Sequence, residues 1–351
     1  MFGSSPSLNF RFERIGVPLK PSDLTDERLG ILNPACARLR DGTLQLYPRM
    51  VAPGNISRIG SFRARERPDG EIDAEQVGYA LEPSEPYELR DAPGGYGCED
   101  PRVTFIPVLD RYVMAYVAFG QSGPTVAVAI SQDGLAWKRL GPMHFGESEE
   151  RFADKDAAFF PEPIRSPSGV QSLAFYHRPT LNVPIDDRKR AIEFLETLPP
   201  EKREAIAIGY VTLDTVHADI SKLCDVAETH RLAIPAANWG AIKVGAGTPP
   251  VRIAEGWMAV IHGVDELKSP DGEVTLRYRA GVIVHDAERL ERVIYRSKEP
   301  ILDPELPDEV QGTVGNVVFP TGIDPRGERV FDIYYGMADY QIGRGRLRLE
   351  P

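Results

Sequence analysis

Glu99-Asp100-Pro101-Arg102 sets two adjacent carboxylates before a proline that fixes the backbone, and an apolar strand begins at once after the arginine. Carboxylates held at a strand end perform general acid–base chemistry when their surroundings set the protonation state. Neighbours on an extended chain point to opposite faces, so one of the two is expected to enter a shared cleft. The competing reading is an exposed acidic turn. Comparable polar residues stand at the openings or ends of other apolar strands: Asn33, Arg49, Asp154, Lys155, Asp156, His177, Arg178, His262 and Asp339. Carboxylates, cations and histidines in such a set suit proton transfer and anion binding. A single strand-end Arg or His is usually a satisfied structural residue, so convergence of several is what would make a site. No Cys, His and carboxylate cluster has metal-ligand spacing, and neither a Gly-x-Ser-x-Gly elbow nor a phosphate-cradling glycine loop occurs. No metal and no cofactor are expected.

The elements that must position these residues recur five times. Polar openings at Asn33-Pro34-Ala35, Glu99–Arg102, Lys155–Ala158, Gly247–Pro250 and Gly315–Val318 each lead into a strand. Aromatic-rich second strands follow at Thr43–Met50, Tyr112–Phe119, Ser172–Pro179, Trp257–Val264 and Val330–Asp339. Third strands read at Ile56–Ala64, Thr125–Ser131, Ala205–Thr212 and Arg277–His285, with turns such as Asp41-Gly42 and Asp271-Gly272 between strands. The pattern predicts an all-β fold: a single five-bladed β-propeller over residues 1–351. The interval between the third and fourth openings is stretched by a short helical insertion at about 183–204, closed by Pro199-Pro200. The first 30 residues and Glu66–Gly97 read as Pro- and charge-rich connections.

Composition narrows the partners. A net charge of −11 disfavours nucleic acid and anionic membrane, and no run of 18 apolar residues predicts a membrane span. Cys36, Cys98 and Cys224 are odd in number and lack CxxC spacing, which points to a reducing, cytoplasmic setting. The start, Met1-Phe2-Gly3-Ser4-Ser5-Pro6, lacks the pattern of a secretory signal. A homo-oligomer is compatible with the sequence.

Several motifs together resemble glycoside hydrolase family 130. They are Gly97-Cys98-Glu99-Asp100-Pro101-Arg102, Lys155-Asp156-Ala157-Ala158-Phe159-Phe160-Pro161-Glu162, Tyr176-His177-Arg178-Pro179, Gly245-Ala246-Gly247-Thr248-Pro249-Pro250, Ile261-His262-Gly263-Val264 and Tyr334-Tyr335-Gly336-Met337-Ala338-Asp339. They occur in the family's order and run from about Asn33 to Ile342. The resemblance implies a five-bladed propeller and an inverting phosphorylase that splits small β-mannosides with inorganic phosphate, releasing α-mannose 1-phosphate. It implies Asp100 as the general acid, acting through a hydroxyl of the bound mannose and needing a raised pKa. It places Arg178, His262, Lys155 and Arg151 on the phosphate. It places Asn33, Arg49, Arg58, Glu99, Arg102 and Asp339 on the sugar. Phosphate is already anionic, so no carboxylate base is required.

Two departures bear on the reaction: the stretch Glu150–Asp156 lacks the asparagine of the best-known phosphorylases, and the insertion after Arg178 is absent from the compact ones. A hydrolase on the same scaffold would need a water-activating carboxylate, for which Glu162 and Asp156 are candidates by type. A non-catalytic sugar-binding propeller is the reading from another class.

Overall fold

A computed structural model describes residues 8–146, 153–181, 194–195, 197–232, 239–268 and 274–350. Arg151 and most of the 183–204 insertion lie outside them. Of that insertion, Phe194, Leu195 and Thr197 are helical and Pro200–Lys202 forms a 3-10 turn.

Strands predominate, arranged in antiparallel meanders. The first runs Gly30–Arg38, Leu44–Ala52, Ile56–Glu66 and Ile72–Leu81. The second runs Tyr96–Ile106, Arg111–Gly120, Gly123–Ser131 and Lys138–Pro142. A short parallel pairing of Ile56 with Tyr96 and Ser57 with Gly97 joins these two. The third is built on Asp154–Phe159, Gln171–Pro179, Ala207–Thr212 and Glu228–Arg231. The fourth uses Lys243–Ala246, Gly256–Lys268, Val274–His285 and Val293–Arg296. Val318–Gly327, Val330–Met337 and Gln341–Glu350 make the last, and the N-terminal strand Asn9–Leu19 completes its edge against Gln341–Glu350.

The near-continuous apolar runs in the middle strands follow from where the core sits. Each meander buries both faces, so alternation is lost. Val113 and Val128 of the second meander pack with Phe159, Phe175 and Val211 of the third. Ala158 and Tyr176 meet Trp257 and Ile261, and Met258 and Val282 meet Val318 and Ile333. Tyr47 and Ile59 meet Tyr112 and Tyr116. Leu46 and Ile31 pack with Tyr334 and Ile342, which brings the last meander against the first. Arg38 reinforces that junction with two bonds to Asp324, at 2.9 and 2.6 Å.

Two stretches read from sequence as connections are strands. Asn9–Leu19 alternates Phe10 and Phe12 with Arg11 and Glu13, a half-buried pattern too short to stand out among charges. Ile72–Leu81 pairs only with Ile56–Glu66, so its edge position tolerates Asp73, Glu75 and Gly78. No helix among the described residues is long and apolar enough to cross a membrane. All three cysteines are free and buried.

The N-terminal strand carries a testable share of stability. Phe12 stands edge-on to Tyr335 and covers Gly345, where any side chain would collide with its ring. Phe12→Ala is expected to cost about 2 kcal/mol, less than for a fully buried phenylalanine. Urea denaturation checks this; an unchanged midpoint would mean that the strand does not hold the last sheet.

Candidate active site

Three of the five polar openings are β-bulges. Register slips fall between Leu32 and Ala35, Glu99 and Arg102, and Lys155 and Ala158. At each slip one residue takes the left-handed region: Asn33 at φ 44°, Asp100 at 46° and Asp156 at 61°. Asn and Asp tolerate this conformation better than other side chains, and a bulge re-aims the residue it carries. The expectation that Glu99 and Asp100 face opposite ways therefore fails. The bulge turns both onto Arg49, whose Nη2 lies 2.8 Å from Glu99 Oε1 and whose Nη1 lies 3.3 Å from Asp100 Oδ1.

Asp100 and Asp339 form a carboxyl pair of unequal character. Asp100 accepts from Asn33 Nδ2 at 2.9 Å as well as from Arg49. Burial pushes its pKa up, but Arg49, Lys155 and Arg102 and the Asn33 bond outweigh burial and hold it below the usual range. The raised pKa expected for an acid at this position is not found. Asp339, itself left-handed at φ 51°, carries it instead. Burial, opposed by Arg49 and Lys155 and reinforced by Asp100 and Glu99, pushes Asp339 up to about 6. Two carboxyls in one field cannot both ionise freely, so the pair gives up its last proton nearer pH 6 than an ordinary carboxyl does.

A cationic cluster lies alongside. Asp156 is fully buried and accepts from Arg178 Nε at 2.6 Å; Arg102 Nη2 is 3.5 Å away and His262 Nε2 3.6 Å away. Burial raises the Asp156 pKa, yet Arg178, His262 and Arg102 win and hold it far below the ordinary carboxylate value. Arg178 also pairs through Nη1 with Glu204. His262 is driven down to about 3, first by burial and then by Arg178, Arg102 and Lys243 against the pull of Asp156. It is therefore a neutral imidazole at pH 7. Neither ring nitrogen has a hydrogen-bond partner among the described residues, although buried polar atoms are almost always paired. Gly245 makes this packing possible: a Cβ there would sit 2.3 Å from His262 and 2.4 Å from Asp156. Lys155 acts electrostatically on Asp100, Asp339 and Asp156 alike, which makes it the link between the two groups.

The structure thus brings together Asn33, Arg49, Glu99, Asp100, Arg102, Lys155, Arg178, His262 and Asp339. Arg58 is held elsewhere, by Asp26 at 3.0 Å and Glu82 at 3.5 Å. Arg102 is buried and spends its guanidinium on backbone carbonyls, so it braces the site from behind. His177 bonds Asp154 and Thr229, both at 2.6 Å, and is a structural residue. Of the two candidate bases, Glu162 is exposed and Asp156 is locked among cations. Sequence reasoning missed Lys243 and Glu204. Lys243, whose Nζ lies over the Tyr278 ring, had a signal in its place two residues before Gly245. Glu204 had none, buried in a charged, proline-rich stretch.

The Asp339 shift gives a stability prediction. A carboxyl with a raised folded-state pKa stabilises fully below about pH 4, and that contribution is lost as pH rises through about 6. Asp339→Asn removes a buried charge that is unfavourable at pH 8. The variant should gain on the order of 2 kcal/mol over the parent at pH 8 and nothing at pH 4. Thermal unfolding across that range checks it; a gain independent of pH would contradict the assignment.

Comparisons with known proteins agree with this geometry. A family profile described as β-1,4-mannooligosaccharide phosphorylase matches residues 14–186 and 211–350. A 1,2-β-oligomannan phosphorylase from Thermoanaerobacter sp. (strain X514) is 30% identical over 258 residues, 72% of this chain and 69% of that protein. A β-1,2-mannobiose phosphorylase from Listeria innocua is 28% identical over 245 residues, 70% of this chain and 56% of that protein. The solved structure of a Listeria innocua β-1,2-mannobiose phosphorylase in complex with β-1,2-mannobiose superposes with a TM-score of 0.70 at 21% identity, over 96% of both chains. A second structure, from work describing glycoside hydrolases among family 130 mannoside phosphorylases, gives a TM-score of 0.70 at 19% identity over 99% and 98% of the two chains. The profile match takes in the Glu-Asp-Pro-Arg bulge, Arg178, His262 and Asp339, and the chain belongs to glycoside hydrolase family 130.

Proposed function

We propose that this enzyme is an inverting β-mannoside phosphorylase, and that its five meanders form one five-bladed β-propeller catalytic domain over residues 1–351. The observation that carries the reading is the carboxyl couple of Asp100 and Asp339, the latter raised in pKa, beside an anion-binding set made of cationic Arg178 and Lys155 and neutral His262. Support for the propeller comes from the five inter-sheet cores, the last of which joins the final meander to the first.

The chemistry follows from that pairing. A phosphate oxygen forms the bond to C1 of the mannosyl unit as the bond from C1 to the leaving oxygen breaks. The proton for the leaving oxygen comes from the Asp100–Asp339 couple, directly or through a hydroxyl of the bound mannose. Arg178 offers planar N–H donors, Lys155 adds charge, and neutral His262 donates one N–H without bringing a charge that burial would penalise. The product is α-mannose 1-phosphate and a sugar shortened by one unit. Asn33, Arg49 and Glu99 are assigned to the sugar side, with Arg102 as their brace and Arg151 on the phosphate side; Arg58, paired with Asp26 and Glu82, is left out of that assignment. Three free, buried cysteines accord with a cytoplasmic setting.

Hydrolysis is favoured by one observation, the carboxylate of Glu204 on Arg178. Incubation with short β-1,2- and β-1,4-mannosides, with and without phosphate, separates the readings. Phosphate-dependent mannose 1-phosphate is expected; free mannose at a rate indifferent to phosphate would overturn the proposal. Asp100→Asn should lower kcat by about a thousandfold or more with an unchanged unfolding temperature. Arg178→Gln should raise the KM for phosphate by about tenfold or more while the KM for mannoside moves little. A phosphate KM unaffected by Arg178→Gln would remove Arg178 from the phosphate.

A further inference from the structure

Arg178 has two edges that can hold an oxyanion through paired N–H groups, one using Nε and one using its two terminal nitrogens. Asp156 takes Nε at 2.6 Å, and Glu204 takes Nη1. Each edge has therefore given one donor to a carboxylate, and neither is whole for a phosphate. Asp156 is a fixed part of the buried cluster, with Arg102 and His262 also against it. Glu204 is attached differently. Its second oxygen accepts from Leu181 N at 3.2 Å, and its own carbonyl accepts from Val244 N at 3.2 Å. Glu204 and Leu181 are the two feet of the insertion. Residues 187–210, which include Glu204, are also the internal stretch that the family profile leaves unmatched. The carboxylate on Arg178 thus belongs to this chain's own elaboration of the site.

We propose that Glu204 is a built-in competitor for the phosphate on Arg178, so that phosphate gains its two-pronged seat only by displacing this carboxylate. The inference rests on the phosphorylase reading. A phosphate dianion and the Glu204 carboxylate side by side, little exposed to water, repel each other strongly. The exchange costs phosphate affinity, and it couples the phosphate subsite to the insertion through the Leu181 and Glu204 contacts. The enzyme then turns over at high phosphate and idles at low phosphate.

The test is a phosphate titration of the initial rate at fixed β-mannoside, in the parent and in Glu204→Gln. Glutamine keeps the shape and the acceptor for Leu181 N but removes the charge. The KM for phosphate should fall by roughly tenfold, with kcat at saturating phosphate within about threefold of the parent. Calorimetric titration of inorganic phosphate without sugar should show the same gain in affinity. Should Glu204→Gln fold poorly, Glu204→Ser is carried through the same two titrations with the same expected gain. A phosphate-dependent parent whose variants show an unchanged or raised KM defeats this inference alone. A parent that releases free mannose regardless of phosphate, and loses that release in Glu204→Gln, defeats the phosphorylase reading as well, because Glu204 would then be activating water.

Discussion

One buried guanidinium holds the centre of this molecule together. Arg102 is 1% exposed, and its nitrogens reach Gly247 O at 3.0 Å, Ala246 O at 3.2 Å and Asp100 O at 3.1 Å, with Asp156 at 3.5 Å. A charge so far from water is costly unless every donor is met. Meeting them ties the second meander to the inner strands of the third and fourth. The carbonyl of Asp100 is presented by its bulge, the carboxylate of Asp156 by another, and the Gly245–Gly247 run allows the close approach. Replacing Arg102 would take a donor from three carbonyls and one cation from the buried Asp156, and would unseat both bulges that carry the chemistry.

From that brace follows an uneven distribution of charge. The cations around Asp156 hold it ionised, and burial, helped by those cations, holds His262 neutral. The cations that reach Asp100 do the same there. Asp339 differs: burial first, opposed by Arg49 and Lys155 and reinforced by Asp100 and Glu99, pushes it up to about 6. Acid chemistry and anion binding can thus coexist in one site because the raised carboxyl and the positive charge are on different residues. Glu204 adds a further carboxylate to a region already balanced, which is why its removal should be felt at the phosphate and not in the fold.

Much of this was legible in the sequence. Middle strands such as Arg111–Gly120 and Gly256–Lys268 announce themselves because burial of both faces makes long apolar runs. The polar openings were also visible, since Asn33, Asp100 and Asp156 are types that accept a positive φ. Their geometry was not, because a bulge is a property of two strands in register and one strand alone does not encode it. Hence the mistaken alternation of Glu99 and Asp100. The protonation order of Asp100 and Asp339 was hidden for a related reason: it depends on Arg49 and Lys155, which come from other meanders. Edge strands such as Asn9–Leu19 and Ile72–Leu81 were lost among charges, because half their surface faces water.

The central claim is that the group attacking C1 is phosphate, steered by Arg178 and His262, and not water. Running the reaction on β-1,2-mannobiose in water enriched in oxygen-18, with ordinary phosphate present, tests it most directly. Mass spectrometry should find α-mannose 1-phosphate with no label between C1 and phosphorus, and no labelled free mannose at early times. Mannose carrying one oxygen-18 at C1 as the first product would contradict the account.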